Sequence, residues 1–331
     1  MITISIDAMG GDHAPQVPIQ AVNQAIDKYP QVQFKVYGDQ TKITPLIRTD
    51  QRIEVIHCDE IIDNEDDPVR AVRTKKESSM VKAARAVKDG EADVLLSAGS
   101  TGALLTAGLL IVGRIPGIDR PGLMPVIPTI SSEHPHLILM DAGANADTKP
   151  INIQQFAVMA NVYARRVLNI ERPRVGLINN GTEASKGSQL SKEAYTLLSE
   201  LDSIHFVGNI EAKNLLNGEI DIAVTDGFTG NAILKTLEGS VKSLVSLLKS
   251  TFKSGSLLTK IGAFLIKNPL KNTLENLDDS KQGGAVLLGV KAPVIKAHGS
   301  ADEEAYFNAI RQSIHVIESQ AVVQITNYFS D

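Results

Sequence analysis

Short apolar runs rich in β-branched residues alternate with longer amphipathic stretches along most of this chain. Ile2–Asp7, Gln33–Gly38, Ile53–His57, Val94–Ala98, Leu137–Asp141, Val175–Asn179, His205–Gly208 and Ile220–Thr225 read as strands bounded by polar turns. Val17–Lys28, Ser79–Lys88, Ala103–Val112, Gln154–Leu168 and Leu190–Leu198 carry a helical repeat between them. This alternation predicts an α/β/α sandwich with a parallel-dominated sheet. Val94-Leu95-Leu96 and Leu137–Met140 lack polar alternation, as strands covered on both faces do. Two segments break the rhythm. Arg114–Pro128 carries several Gly and Pro turns and reads as a long connection with a short edge strand. Phe228–Leu277 is helical for longer than its neighbours. Residues 238–275 are therefore expected to project as an arm, for dimer or membrane contact, from one catalytic unit spanning 1–331.

The strand ends share a chemistry. Thr225–Asn231 joins a strand-like to a helix-like run through two glycines and short hydroxyl and amide side chains. Such a turn exposes backbone N–H groups where the helix dipole favours an anion, which makes Gly227, Thr229 and Gly230 candidate contacts. Asn231 fits either a cap or an amide donor to a developing oxyanion. Ala98–Gly102 offers Ser100, Thr101 and Gly102 in the same way; capping explains one hydroxyl residue but not both glycines. Asp141–Asn145 adds Gly143 and Asn145, and Asn180–Gly187 adds Thr182 and Lys186. A lone lysine is usually solvated, but Lys186 follows a buried strand among small residues, which suits an anion contact. In Asp7–Pro15, Gly10 and Gly11 admit a ligand to the backbone and His13 supplies a polar contact; a tight turn with Asp12 capping the next helix fits equally. Ligands of such sheets bind outside the carboxyl ends of the strands, so these exits suggest one cleft for a small, highly charged ligand.

Composition narrows the classes. Hydrophobic residues make up 43% and charged residues 21% of 331, an ordinary globular balance. The net charge of -5 argues against nonspecific nucleic-acid binding, and the absence of Trp against base-stacking platforms. The single Cys58 excludes a disulfide framework and fits a reducing cytoplasm. Met1–Asp7 runs directly into a strand, so no signal peptide is expected, and no apolar run reaches the ~20 residues that cross a bilayer. No G-x-G-x-x-G follows a strand, the Lys186 loop fails the Walker order, His and Cys show no zinc spacing, and G-x-S-x-G is missing. No metal or cofactor is expected. Leu257, Leu258, Ile261, Phe264 and Leu265 form one apolar helical face flanked by Lys260 and Lys267. That stripe fits a helix lying in an anionic membrane interface or one packed at a dimer interface. Arg70, Arg73, Lys75 and Lys76 form a basic cluster, read as a solvated face or a dock for an acidic partner.

Asp7–Pro15, Pro68–Arg73, Ser97–Gly102, Gly113–Pro121, Asp141–Asn145, Thr225–Asn231 and Lys291–Gly299 together closely resemble the bacterial phosphate acyltransferases of the PlsX type. The likeness covers essentially the whole chain. It implies a fold similar to isopropylmalate dehydrogenases and phosphate acetyltransferases, a homodimer with the active site near the subunit interface, and peripheral attachment to the cytoplasmic face of the membrane. The activity it implies is transfer of a fatty acyl group from acyl carrier protein to inorganic phosphate, forming acyl phosphate for phospholipid synthesis. Lys186 and Asn231 match lysine and asparagine motifs central to that family. Phosphate serves as its own nucleophile there and a thiol leaves readily, so neither a catalytic triad nor a cysteine is required. Rival expectations are a phosphate acetyl- or butyryltransferase acting on acyl-CoA, a metal- and NAD-dependent decarboxylating dehydrogenase of the same fold, and a noncatalytic membrane scaffold.

Overall fold

A computed structural model describes residues 1–256, 258–260, 262–264, 266 and 283–330. Its strands are β1 (Ile2–Asp7), β2 (Val32–Gly38), β3 (Ile53–His57), β4 (Val94–Ser97), β5 (Gly122–Met124), β6 (Val126–Pro128), β7 (His136–Met140), β8 (Arg174–Asn179), β9 (His205–Glu211), β10 (Ile222–Val224), β11 (Ala285–Leu288) and β12 (Val294–Lys296). The helices named below are numbered α1 (Gln16–Lys28), α2 (Gln40–Ile43), α3 (Pro68–Thr74), α4 (Ser79–Lys88), α5 (Thr101–Ala107), α6 (Pro150–Arg166), α7 (Gln189–Ser199), α8 (Gly227–Ser254) and α9 (Glu303–Glu318).

Parallel pairing dominates, as the alternation predicts, but the strands divide into two sheets that periodicity did not separate. One runs β3-β2-β1-β4-β12-β11-β5 and the other β6-β7-β10-β8-β9. The pairs from β3 through β12 and from β7 through β9 are parallel. Only β11, β5 and β6 pair antiparallel. The segment read as a connection with one edge strand therefore holds two, one in each sheet. Pro125 between them has no N–H to give a ladder, and the chain changes sheets there.

The strand period sorts side chains into layers. Ile4, Ile6, Val94, Leu96 and Ile295 point to the same core as Ile138, Met140, Val175 and Val224 of the other sheet. Residues of α1, α9, α6 and α7, among them Val22, Ile310, Phe156 and Leu198, complete this shared middle layer. On the outer face of the first sheet Leu95, Val294 and Leu287 pack on Val81, Ala84 and Leu104 of α4 and α5. On the outer face of the second, Leu139, Ile178 and Ala223 receive Ile233, Leu234 and Leu237 of α8. The two sheets thus share one core.

The helix expected over Ala103–Val112 is α5 followed by a π-helical turn, Gly108–Val112. Beyond Leu237, α8 carries exposed Leu244 and Leu247. Of the expected arm over residues 238–275, positions 267–275 lie outside the described residues, as do Leu257, Ile261 and Leu265 of the apolar stripe. Among the described residues no helix is long and apolar enough to cross a membrane.

Candidate active site

Strands β7 and β10 lie side by side, so their exits meet. Asp141, buried at the end of β7, accepts the backbone N–H groups of Leu123 (2.9 Å), Gly143 (3.1 Å), Ala144 (3.0 Å) and Asn145 (2.8 Å), and Asn145 Nδ2 at 2.9 Å. Burial pushes this carboxyl up and the donors pull it back. Asn145 also donates to the Pro121 carbonyl at 2.7 Å and accepts from Gly227 N at 2.9 Å. The amides of Gly143 and Asn145 are thus committed to Asp141, and they hold the wall of the site together.

That wall positions the start of α8. Asp226 caps the helix, accepting Thr229 N at 2.8 Å and Thr229 Oγ1 at 2.7 Å. Gly230 lies so close to β7 that a Cβ on it would stand 1.9 Å from the Asp141 carbonyl oxygen. Asn231 follows, with its Cβ only 3.3 Å from where a side chain on Gly143 would begin. The Asn231 amide is exposed and makes no hydrogen bond among the described residues, so both of its N–H groups are free to meet a ligand. At the neighbouring exit of β8, Asn179 Nδ2 donates to the Lys186 carbonyl at 3.1 Å and Asn209 Nδ2 to Glu183 O at 2.8 Å, which folds the loop back on itself. The side chains of Thr182 and Lys186 stand exposed on it, and Lys186 has no ion-pair partner among the described residues.

The first sheet contributes the exits of β1, β4 and β12. Gly10 approaches Gly99 closely, since a Cβ on Gly10 would lie 2.5 Å from Gly99 N. Gly11 sits against Ala98 and Gly299, and Asp12 N donates to Gly299 O at 2.8 Å. These glycines serve loop-to-loop contact. Ser100 caps α5, while exposed Thr101 and half-buried Gly102 begin it. His13 is exposed on the β1 exit. Beneath, Asp7 is buried and accepts Ser79 Oγ at 2.6 Å and Ser97 Oγ at 2.7 Å.

One functional candidate was missed from sequence. Lys296, the last residue of β12, donates to Ala98 O at 3.2 Å and to Ala297 O, beside the glycine-rich β4 exit. Burial pushes its ammonium down to about 8, aided by Lys235 and opposed by Asp12 and Asp7. Lys235 lies one helical turn beyond Asn231 on α8 and pairs with Glu238 at 2.8 Å, and its charge is felt at Lys296 across the gap between the two sheets' loops. Ala144, packed against the outer core of the first sheet, also spans it. The available signal was a lysine ending an apolar run in Val294–Gly299, but three strand residues cannot display a period.

Cys58 is buried and its thiol is pushed up to about 11, which keeps it protonated and inert. Among the described residues no group of three or more His, Cys, Asp or Glu is placed to hold a metal. What remains is an α/β protein whose loop tips present cations, hydroxyls and an amide, the parts for holding an anion beside an electrophile.

The chain belongs to the phosphate acyltransferase family of the PlsX type. A family model described as "Fatty acid synthesis protein" matches residues 2–324. A phosphate acyltransferase of Lacticaseibacillus casei is 49% identical over 326 residues, 98% of this chain and 95% of its own length. One from Streptococcus pneumoniae is 49% identical over 330 residues, covering 100% and 99%. In fold the chain is similar to a Streptococcus pyogenes phosphotransacetylase, with TM-score 0.61 at 16% identity over 97% of this chain and 94% of that one. A branched-chain phosphotransacylase from Enterococcus faecalis gives TM-score 0.58 at 18% identity over 96% and 100%.

Proposed function

We propose that this protein moves a fatty acyl group from the thioester of acyl carrier protein to inorganic phosphate. Acyl transfer to phosphate, in fatty acid synthesis, is the activity of the family. The carrier as donor and the roles of individual residues are our reading. A phosphate oxygen attacks the thioester carbonyl carbon, the carbon–sulfur bond breaks, and the carrier leaves as a thiolate that takes a proton from water. The reaction needs no protein nucleophile, which matches an inert Cys58. It needs cations to hold phosphate against the electrophile and a donor for the tetrahedral oxyanion. In this reading Lys186 and Lys296 hold phosphate with the α5 start (Ser100, Thr101, Gly102), and Asn231 Nδ2 donates to the oxyanion.

The observation that carries the proposal is an exposed Asn231 amide left without a hydrogen bond among the described residues, at an α8 start held against β7. Trapping with hydroxylamine tests it. Purified protein, acyl-ACP and phosphate should yield an acyl hydroxamate that depends on all three. No hydroxamate from acyl-ACP, with product from acyl-CoA instead, would replace the carrier reading with the coenzyme A one.

Lys296 adds a pH signature. Its protonated form is the one that attracts phosphate, so kcat/KM for phosphate should fall as pH rises through about 8, the value to which burial and Lys235 bring it. Lys296→Arg keeps the charge and should flatten that limb, whereas Lys296→Met should remove the limb and lower kcat/KM at every pH. An unaltered profile in both variants excludes Lys296 from phosphate binding.

A homodimer and peripheral contact with anionic membrane complete the proposed picture. Leu258 and Phe264 are 81% and 77% exposed, an arrangement that supports the membrane part. Leu258→Glu with Phe264→Glu should abolish co-sedimentation with anionic vesicles and leave turnover of soluble acyl-ACP unchanged.

A further inference from the structure

The basic cluster read along α3 is rearranged by the fold. Lys75 is neutralised in place by Asp66 at 2.6 Å and Asp63 at 3.9 Å. Lys82 of α4 is likewise paired with Glu77 at 2.8 Å. Packing of α3, α4 and the π-helical turn instead brings four other cations, Arg73, Lys76, Arg85 and Lys88, around one groove of about 360 Å³. None of the four has an ion-pair partner among the described residues, in a chain whose net charge is -5. Arg85 Nη1 does donate to the Lys76 carbonyl at 3.3 Å, a contact that leaves its charge uncompensated.

The floor between these cations is apolar. Val72 and Val81 are buried beneath it, Ile111 is half-buried, and Leu110 remains 47% exposed at its edge. An apolar floor with a cationic rim is the complement of an amphipathic acidic helix, whose aliphatic side chains fill the groove while its carboxylates meet the rim. A flat lipid surface fits less well, because the floor is recessed between three elements and the exposed apolar positions of the arm lie elsewhere. Nucleic acid fits less well still, since no aromatic side chain lines the groove.

The position of the groove matters as much as its chemistry. Pro68, the first residue of α3, abuts Gly102 at the start of α5, where a Cβ on Gly102 would meet Pro68 Cγ at 2.7 Å. Arg73 lies five residues further along α3, roughly 8 Å away at the helical rise. A macromolecule seated in the groove therefore stands beside the α5 start, where phosphate is proposed to bind. We propose that the groove between α3, α4 and the π-helical turn docks an acidic helix of the carrier protein that delivers the acyl thioester. This rests on the acyl-carrier reading above.

The test reverses two exposed rim charges outside the reaction centre, Arg73→Glu with Lys88→Glu, and uses Arg73→Gln with Lys88→Gln as the milder pair should the first fold poorly. Direct titration with holo acyl carrier protein should show a Kd raised about tenfold and a shallower salt dependence. KM for acyl-ACP should rise in parallel, with kcat and KM for phosphate unchanged. An unchanged carrier Kd overturns the proposal. So does a shift to monomer, which would make the groove an interface between copies of this chain, or loss of vesicle binding alone, which would make it a lipid site. The two readings fail separately: absence of hydroxamate from acyl-ACP removes the catalytic one, whereas the titration reports on the groove without turnover.

Discussion

Asn231→Ala and Lys186→Ala should each lower kcat for acyl phosphate formation by about a hundredfold to a thousandfold, the usual cost of removing one donor to a developing oxyanion or its anionic partner. For Asn231 the reason is geometric. The α8 start is pinned by Asp226 and by the close approach of Gly230 to β7, so the backbone that carries the amide is fixed while the amide itself has no hydrogen bond among the described residues. Truncation removes the donor and leaves the wall intact, so thermal stability should barely change. Lys186 is exposed and unpaired in its loop, and its loss should raise KM for phosphate as well as lower kcat. Rates within a few fold of wild type for both variants would refute these assignments. Steady-state kinetics with phosphate varied, alongside a melting curve, is the measurement.

Gly230→Ala should cost about 3 kcal/mol of stability and most of the activity, because an added methyl in a close-packed contact must displace what it meets. Here it meets backbone: the Asp141 carbonyl oxygen would lie 1.9 Å from the new Cβ. That backbone cannot easily yield, since the Asp141 carboxylate organises Leu123, Gly143, Ala144 and Asn145 around it. Helix α8 must lift instead and carry Asn231 out of position. Gly239→Ala, in the same helix with nothing within 4 Å of its Cβ, should do the opposite and stabilise by about 0.5–1 kcal/mol through helix propensity. Equal melting temperatures for Gly230→Ala and wild type would show that the contact is slack.

Much of the fold was legible in the chain. Ile2–Asp7, Ile53–His57 and Ser79–Lys88 have the bounds expected of them, because each is long enough to display its period and is closed by polar turns. Among the three-residue strands, β10 was read within the longer apolar run Ile220–Thr225, but one edge strand was read where β5 and β6 stand and β12 was not read; a run that short cannot show alternation, and it becomes a strand only by pairing with a distant partner. At the site, the strand exits were recognisable from their glycines and hydroxyls. Their division of labour was not. Gly10, Gly143 and Asn145 read as ligand contacts, yet the geometry spends the first on Gly99 and the amides of the other two on Asp141.

Local pattern by itself therefore determined an alternating, largely parallel α/β chain with polar strand exits, and its ordered motifs carried the family. Tertiary structure alone decided that the strands form two sheets sharing one core, which side chains stay unpaired, and that Lys296 reaches the β4 exit. The reason is separation along the chain. Leu123 donates to Asp141 across 18 residues and Lys296 to Ala98 across 198. No local preference encodes such a hydrogen bond. It exists only after burial of the shared core has brought the strands together and left each polar group to find a partner or a ligand.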